Sequence, residues 1–224
     1  MLFSTRFTAL FASLFLVSGC DILLNASFEA DTAGDAPRVD IPGAPSGDSI
    51  TSSEGKSFFV TSQGGLVAGQ AMAFVAPDQR TDNRTARSVM RSATINNLER
   101  PIYISWNGKF GAGGELNGIF GYLGKQFVRL QFSNGDILLE GRPVGRYRPG
   151  DNHQVLISLY PVEGRYRVAI SGDVDLGRPF IEGAARSSLE VAGSKAVADF
   201  TITPAPNAPL VYVMDDVKMS HQAP

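Results

Sequence analysis

The stretch Gln154-Val155-Leu156-Ile157-Ser158-Leu159-Tyr160-Pro161-Val162-Glu163-Gly164-Arg165-Tyr166-Arg167-Val168-Ala169-Ile170 decides the fold. Val155, Ile157 and Leu159 recur at every second position. After Pro161-Val162-Glu163-Gly164, so do Tyr166, Val168 and Ile170, with Arg165 and Arg167 on the other face. A period of two belongs to a strand, whose successive side chains point to opposite faces. The Pro-to-Gly segment is turn chemistry, so the stretch reads as an antiparallel hairpin with one apolar face.

The pattern repeats outward from this hairpin. Ile102, Ile104 and Trp106 share one face, which marks Trp106 as core and leaves Tyr103 opposite. Val128, Leu130 and Phe132 alternate into Ser133-Asn134-Gly135-Asp136, and Ile137-Leu138-Leu139 returns. Asn-Gly is a strong hairpin signal because both central residues tolerate positive φ. Phe58 to Val60, Ala71 to Val75, Ala198 to Ile202 and Leu210 to Met219 supply further strands. Helix is scarce. Arg84, Arg87 and Arg91 follow a helical spacing within Asp82 to Ala93, but apolar partners are few, so a polar loop or single turn is expected there. Residues 31–49, rich in Gly, Pro and Asp, read as a long surface loop. Short strands punctuated by turns predict an all-β antiparallel sandwich.

Composition narrows function by exclusion. Lys and Arg number 20 against 22 Asp and Glu, a formal charge of −2. That balance gives no argument for nucleic acid or bulk anionic lipid as a partner, and no nucleic-acid partner is expected. Gly111-Ala112-Gly113-Gly114 is followed by no Lys-Ser/Thr and is no phosphate loop. No serine sits in a Gly-x-Ser-x-Gly elbow. The two histidines, His153 and His221, form no zinc-binding pair. His153, alone before a strand, reads as structural.

The N-terminal end carries an address. Arg6 precedes an apolar run from Phe7 to Val17, too short for a membrane-spanning helix. Small residues lead to Cys20, the only cysteine. Leu16-Val17-Ser18-Gly19-Cys20 resembles the lipobox of bacterial lipoproteins. The resemblance implies cleavage of residues 1–19, lipidation of Cys20 (diacylglycerol and palmitate) and attachment to a membrane of the cell envelope. The alternatives are an ordinary secretory leader with an incidental cysteine, or an uncleaved anchor. Two or more acyl chains give stable anchoring. Asp21 resembles the signal that retains some lipoproteins in the inner membrane. The remainder, 20–224, is expected to be one β-sandwich with little tether, since Ile22-Leu23-Leu24 enters the first strand at once.

Two further passages resemble known folds. Leu24-Asn25-Ala26-Ser27-Phe28-Glu29, with Gly34 and Pro37 after it, and Val211-Tyr212-Val213-Met214-Asp215-Asp216-Val217-Lys218-Met219 are similar to the opening and closing strands of jelly-roll carbohydrate-binding modules, which pair. Asp151-Asn152-His153-Gln154-Val155 leading to Tyr166-Arg167-Val168-Ala169-Ile170-Ser171-Gly172 resembles a hairpin of the laminin-G and concanavalin A-like lectins, with Asn152 where those carry tryptophan. The implied fold is a jelly-roll sandwich, concanavalin A/laminin-G-like, or alternatively galactose-binding-like. The implied function is noncatalytic glycan binding. A structural or assembly role against another envelope protein is the alternative, and a saccharide-active enzyme a third reading. The paired acids of concanavalin-like glucanases, Glu-x-Asp-x-x-Glu, are absent from the sequence.

Candidate sites follow. Asp215 lies in phase with Val211, Val213, Val217 and Met219, and an inward carboxylate needs a partner. With Asp216, and Glu29 brought alongside by strand pairing, it offers hard oxygens that suit a structural Ca²⁺; otherwise Asp215 sits at a sheet edge and accepts hydrogen bonds. Tyr122, Tyr147 and Tyr160 are candidates for stacking on a sugar. Arg142, Arg146, Arg148, Arg165 and Arg167 read as a solvated strand face, with a basic patch as the alternative.

Overall fold

The structure, a computed structural model, describes residues 21–39, 48–52, 57–62, 69–76, 85–122, 125–186, 194–203 and 210–224. Residues 1–19, expected to be a cleaved leader, and Cys20 lie outside these residues. The strands are β1 (Ile22–Ala26), β2 (Ser49–Ser52), β3 (Phe58–Thr61), β4 (Ala71–Val75), β5 (Ala86–Ile95), β6 (Ile102–Phe110), β7 (Glu115–Tyr122), β8 (Lys125–Ser133), β9 (Asp136–Leu139), β10 (Arg142–Arg146), β11 (Asn152–Tyr160), β12 (Arg165–Gly172), β13 (Ile181–Ala184), β14 (Ser194–Ile202) and β15 (Leu210–Ser220). No helix occurs among the described residues.

Two antiparallel sheets pack face to face. One runs β13-β12-β11-β6-β15-β4-β3, with β1 on β15; the other runs β10-β9-β8-β7-β14-β5-β2. The decisive hairpin is β11–β12, in register from His153 opposite Gly172 to Tyr160 opposite Arg165. Asn134 and Gly135 have φ of 52° and 85° and join β8 to β9, as Asn-Gly turns do. Glu140-Gly141 repeats this device between β9 and β10, with φ of 53° and 76°. First and last strands pair, with Ala26 opposite Val217.

The inward faces meet in one core around Trp106, Phe74, Phe120, Phe200 and Tyr212. Trp106 is buried at 1% exposure and stacks on Phe120 from the facing sheet at 5.6 Å. Truncating such a residue to alanine costs about 3–5 kcal/mol.

Residues 86–93 correct the expected loop or turn. They belong to β5, an interior strand between β14 and β2. Arg87 and Arg91 are four apart, a spacing that lands on one face in a strand as well as in a helix. Arg87 reaches across to Asp199 through two bonds, Nε to Oδ1 at 2.8 Å and a second guanidinium nitrogen to Oδ2 at 2.5 Å. The polar look comes from two buried serines. Ser88 pairs with Ser52 across the strands at 3.1 Å. Ser92 sits at a register shift and accepts the Ala196 N–H at 2.9 Å, which keeps the ladder satisfied.

Strand order defines two poles. Ile22, Ser220 and Tyr103 lie side by side at one. Phe110, Tyr212 and the start of β11 lie at the other. Seven residues of β6 separate them, roughly 25 Å at strand rise. At the first pole Asp21 accepts from Arg100 at 2.5 Å and from Gln222 at 2.8 Å, and its carbonyl accepts the His221 N–H at 2.9 Å. The Arg100 bond holds the Asp21 carboxyl below its ordinary range.

Candidate functional site

At the second pole the loops enclose an open cleft of about 780 Å³. The β8–β9 turn contributes Asn134, Gly135 and Asp136. The end of β10 and the chain after it contribute Arg146, Tyr147, Arg148 and Asp151, and the chain after β12 contributes Asp173 and Asp175. The two sheets are tied here: the Arg146 N–H donates to the Asp175 carbonyl at 2.8 Å, and the Asp175 N–H returns to Arg146 at 3.2 Å. The Tyr147 N–H donates to the Gly135 carbonyl at 2.9 Å.

Three of the four aspartates are fixed by backbone N–H groups. Asp151 accepts from Arg148 at 2.7 Å, Asp173 from Asn152 at 3.1 Å and Asp175 from Gly177 at 2.9 Å. Asp136 faces Arg146 at 3.7 Å.

The wall of the cleft continues into the core as a stack of rings. Phe110 is sandwiched between Tyr147 at 3.9 Å and His153 at 4.2 Å, both nearly parallel to it. Burial raises the Tyr147 phenol above its ordinary range. Behind the stack, Trp106 Nε1 donates to Tyr212 Oη at 2.8 Å, and Tyr212 Oη lies 2.5 Å from His153 Nε2. An indole N–H only donates. Tyr212 therefore gives its own proton to His153 Nε2, and the neutral imidazole carries hydrogen on Nδ1. Burial pulls the His153 pKa from its ordinary 6.5 to about 4, against smaller upward pulls from Asp151 and Asp173. Nδ1 is buried as well, and the foremost of these upward pulls comes from the Asp151 backbone. Gly108 makes the bond between these rings possible: a Cβ there would stand 1.9 Å from Tyr212 Oη and 2.5 Å from His153 Nε2.

The three candidate tyrosines fare differently. Tyr147 lines the cleft, half-buried, with one ring face on Phe110. Tyr122 is a correction: at 1% exposure it is core, so its ring is closed to a sugar. Its phase with Leu116 and Phe120 along β7 is the signal that marks it. The Tyr160 ring is covered by the Arg165 guanidinium at 3.9 Å. Arg165 and Arg167 in turn share Glu182, so those two form no free basic patch.

The calcium set is also corrected. No group of three Asp, Glu, His or Cys among the described residues is arranged to hold a metal ion. Glu29 spends Oε1 on the Gln70 N–H at 3.1 Å. In β15 the phase changes at the acids. Tyr212 and Met214 point into the core, and so do Val217 and Met219. Asp216 and Val217 stand against Trp106 alone, a β-bulge with Asp216 at φ 51°. Asp215 Oδ1 accepts the Asp216 N–H at 2.7 Å, and Asn107 donates to Asp216 Oδ2 at 3.0 Å. These carboxylates serve the bulge. The cleft aspartates were not singled out in sequence, because only strand register brings their loops to one pole.

No protein-family model and no curated protein matches the chain. Solved structures do. One is described as a sialidase, 14% identical with a TM-score of 0.56, over 88% of this chain and 19% of that one. This chain thus spans 19% of the sialidase's length. The binding domain of botulinum neurotoxin serotype D is 10% identical with a TM-score of 0.52, over 91% of this chain and 49% of that one. A GH131 β-glucanase catalytic domain from Podospora anserina is 12% identical with a TM-score of 0.50, covering 77% and 83%. These likenesses show the fold, the jelly-roll sandwich expected from the sequence.

Proposed function

We propose that this chain is a lipid-anchored protein of the bacterial cell envelope whose sandwich binds glycan, without transforming it, in the cleft at the pole away from residue 21. One observation carries the reading. A half-buried tyrosine, Tyr147, stands among Asn134, Asp136, Arg146, Arg148, Asp151, Asp173 and Asp175 in one open cleft. Sugars offer an apolar ring face and a fringe of hydroxyls, and such a mixture of one aromatic with many polar groups matches both. Neighbours in fold include a toxin binding domain as well as a sialidase and a glucanase. Glycosidases set a carboxylic acid that keeps its proton beside an ionised one. Here the three loop aspartates each spend an oxygen on a backbone N–H and stand exposed or half-exposed, which favours binding over catalysis. The lipobox at Cys20 supports the anchor, and the cleft then faces away from the bilayer.

A glycan array probed with the purified protein tests the first half. One saccharide class is expected to bind. Arg148→Ala, at an exposed cleft position, should weaken it several-fold with an unchanged melting temperature. A blank array overturns the glycan reading. Palmitate labelling tests the second half: label should enter the membrane fraction and vanish in Cys20→Ser. Unlabelled protein overturns the anchor.

A further inference from the structure

We infer that the tip of the β11–β12 hairpin, with Val162 at its point, lies in the lipid–water interface beside the anchor, so that the bilayer holds the domain at two places; the inference rests on the anchor reading above. Strand register puts both places at one end of the molecule. Ile22 pairs with Ser220, Ser220 with Tyr103, and Tyr103 with Ser158. Three strand spacings, roughly 14 Å, separate Ile22 from Ser158 along that row. β11 then runs past the row to Tyr160, and the turn that follows projects roughly 10 Å beyond it. The turn is braced: the Gly164 N–H donates to the Pro161 carbonyl at 3.3 Å, and the Gly164 carbonyl accepts the Ala185 N–H at 2.7 Å. Asp21 is pinned to the same end by Arg100, Gln222 and the His221 N–H. Cys20 is its neighbour in the chain, and successive Cα atoms stand only about 3.8 Å apart. Lipid on Cys20 therefore draws this end onto the membrane, with no stalk to hold it off.

What the hairpin brings there is apolar and electrically paired. Val162 is 69% exposed, the most exposed large hydrophobic side chain among the described residues, and Ile22, 37% exposed, stands at the same pole. Glu163 pairs with Arg165 and Asp21 with Arg100, so the acids flanking both contact points bring their own cations. Two residues before Val162, the half-buried Tyr160 carries the Arg165 guanidinium on its ring. Tyrosine and arginine suit the headgroup level, each with an apolar body and a polar end. The far pole presents Asp151, Asp173 and Asp175 instead, with no ion-pair partner among the described residues, and anionic headgroups repel such groups. One valine buries too little to bind a membrane from solution. Beside an anchor the contact is intramolecular, and the effective concentration of membrane around the tip is high.

The test uses the full chain, purified with its lipid and reconstituted into phosphatidylethanolamine–phosphatidylglycerol vesicles that carry a spin-labelled phosphatidylcholine. Cys20 is the only cysteine, and lipidation consumes its thiol, so an environment-sensitive thiol-reactive dye enters only at an introduced cysteine. The dye is placed in Val162→Cys and, at the far pole, in Leu210→Cys. Both side chains are exposed, so neither substitution disturbs the core. The dye at 162 should shift to the blue and be quenched about twofold or more by the spin label, as a group lying within the interface is, while the dye at 210 should do neither. Equal quenching at the two positions, or none at either, overturns the tip contact and leaves the anchor standing. A blue shift at 162 without quenching means that protein rather than lipid covers the tip, and overturns it too. Dye uptake by the parent chain means that Cys20 is unlipidated; the anchor reading then falls, and this inference with it.

Discussion

Tyr212 can accept from Trp106 and still donate to His153 because a hydroxyl does both, and this fixes His153 as a neutral base sealed in the core. The consequence is a pH dependence of stability. The folded pKa near 4 lies below the unfolded value near 6.5, so acid favours the unfolded chain, which takes up the proton first. The contribution is fully present above about pH 6.5 and is lost as pH falls to about 4, on the order of 3 kcal/mol in all. Urea unfolding across that window should show the slope, and His153→Asn should flatten it; equal slopes would place the proton elsewhere. Trp106 was legible as core because Ile102 and Ile104 share its phase. His153 shares the phase of Val155, but its partner lies 59 residues away in sequence, where no local signal reaches.

At the scale of the element, strands with clean alternation and an Asn-Gly turn read directly, as β8, β9, β11 and β12 do. Errors arose where a strand carries an extra residue. In β15 the bulge at Asp216 shifts the phase by one, so that Asp215, read as aligned with Val217 and Met219, leaves their face. In β5 the shift near Ser92 and the buried serines hide the apolar pattern. The bulge makes a prediction. Asp216 holds φ 51°, a conformation that glycine adopts freely and β-branched residues resist. Asp216→Val should destabilise by about 1–3 kcal/mol, while Asp216→Gly should stay within about 1 kcal/mol of the parent chain. Thermal melts of the two side by side check this, and equal losses would mean the Asn107 bond matters more than the backbone.

For the whole molecule, the sequence predicted two layers of antiparallel strands but not which loops meet. A pole is a product of register: β6 sets Tyr103 beside Ser220 and Phe110 beside Tyr212, and everything about the cleft depends on that alignment. The same alignment has a mechanical meaning. A pull applied at residue 21 and resisted at Asp173 runs along β1, whose bonds to β15 lie across the line of force. All of them, with the Asp21 bonds to Arg100 and Gln222, are then strained together. Pulling residue 21 away from Gln222 instead, at the same pole, peels those bonds one after another. Single-molecule pulling should find a markedly higher rupture force in the first geometry than in the second. A protein held at one pole and gripped at the other would thus resist tension in shear, along the direction in which its terminal strands are strongest.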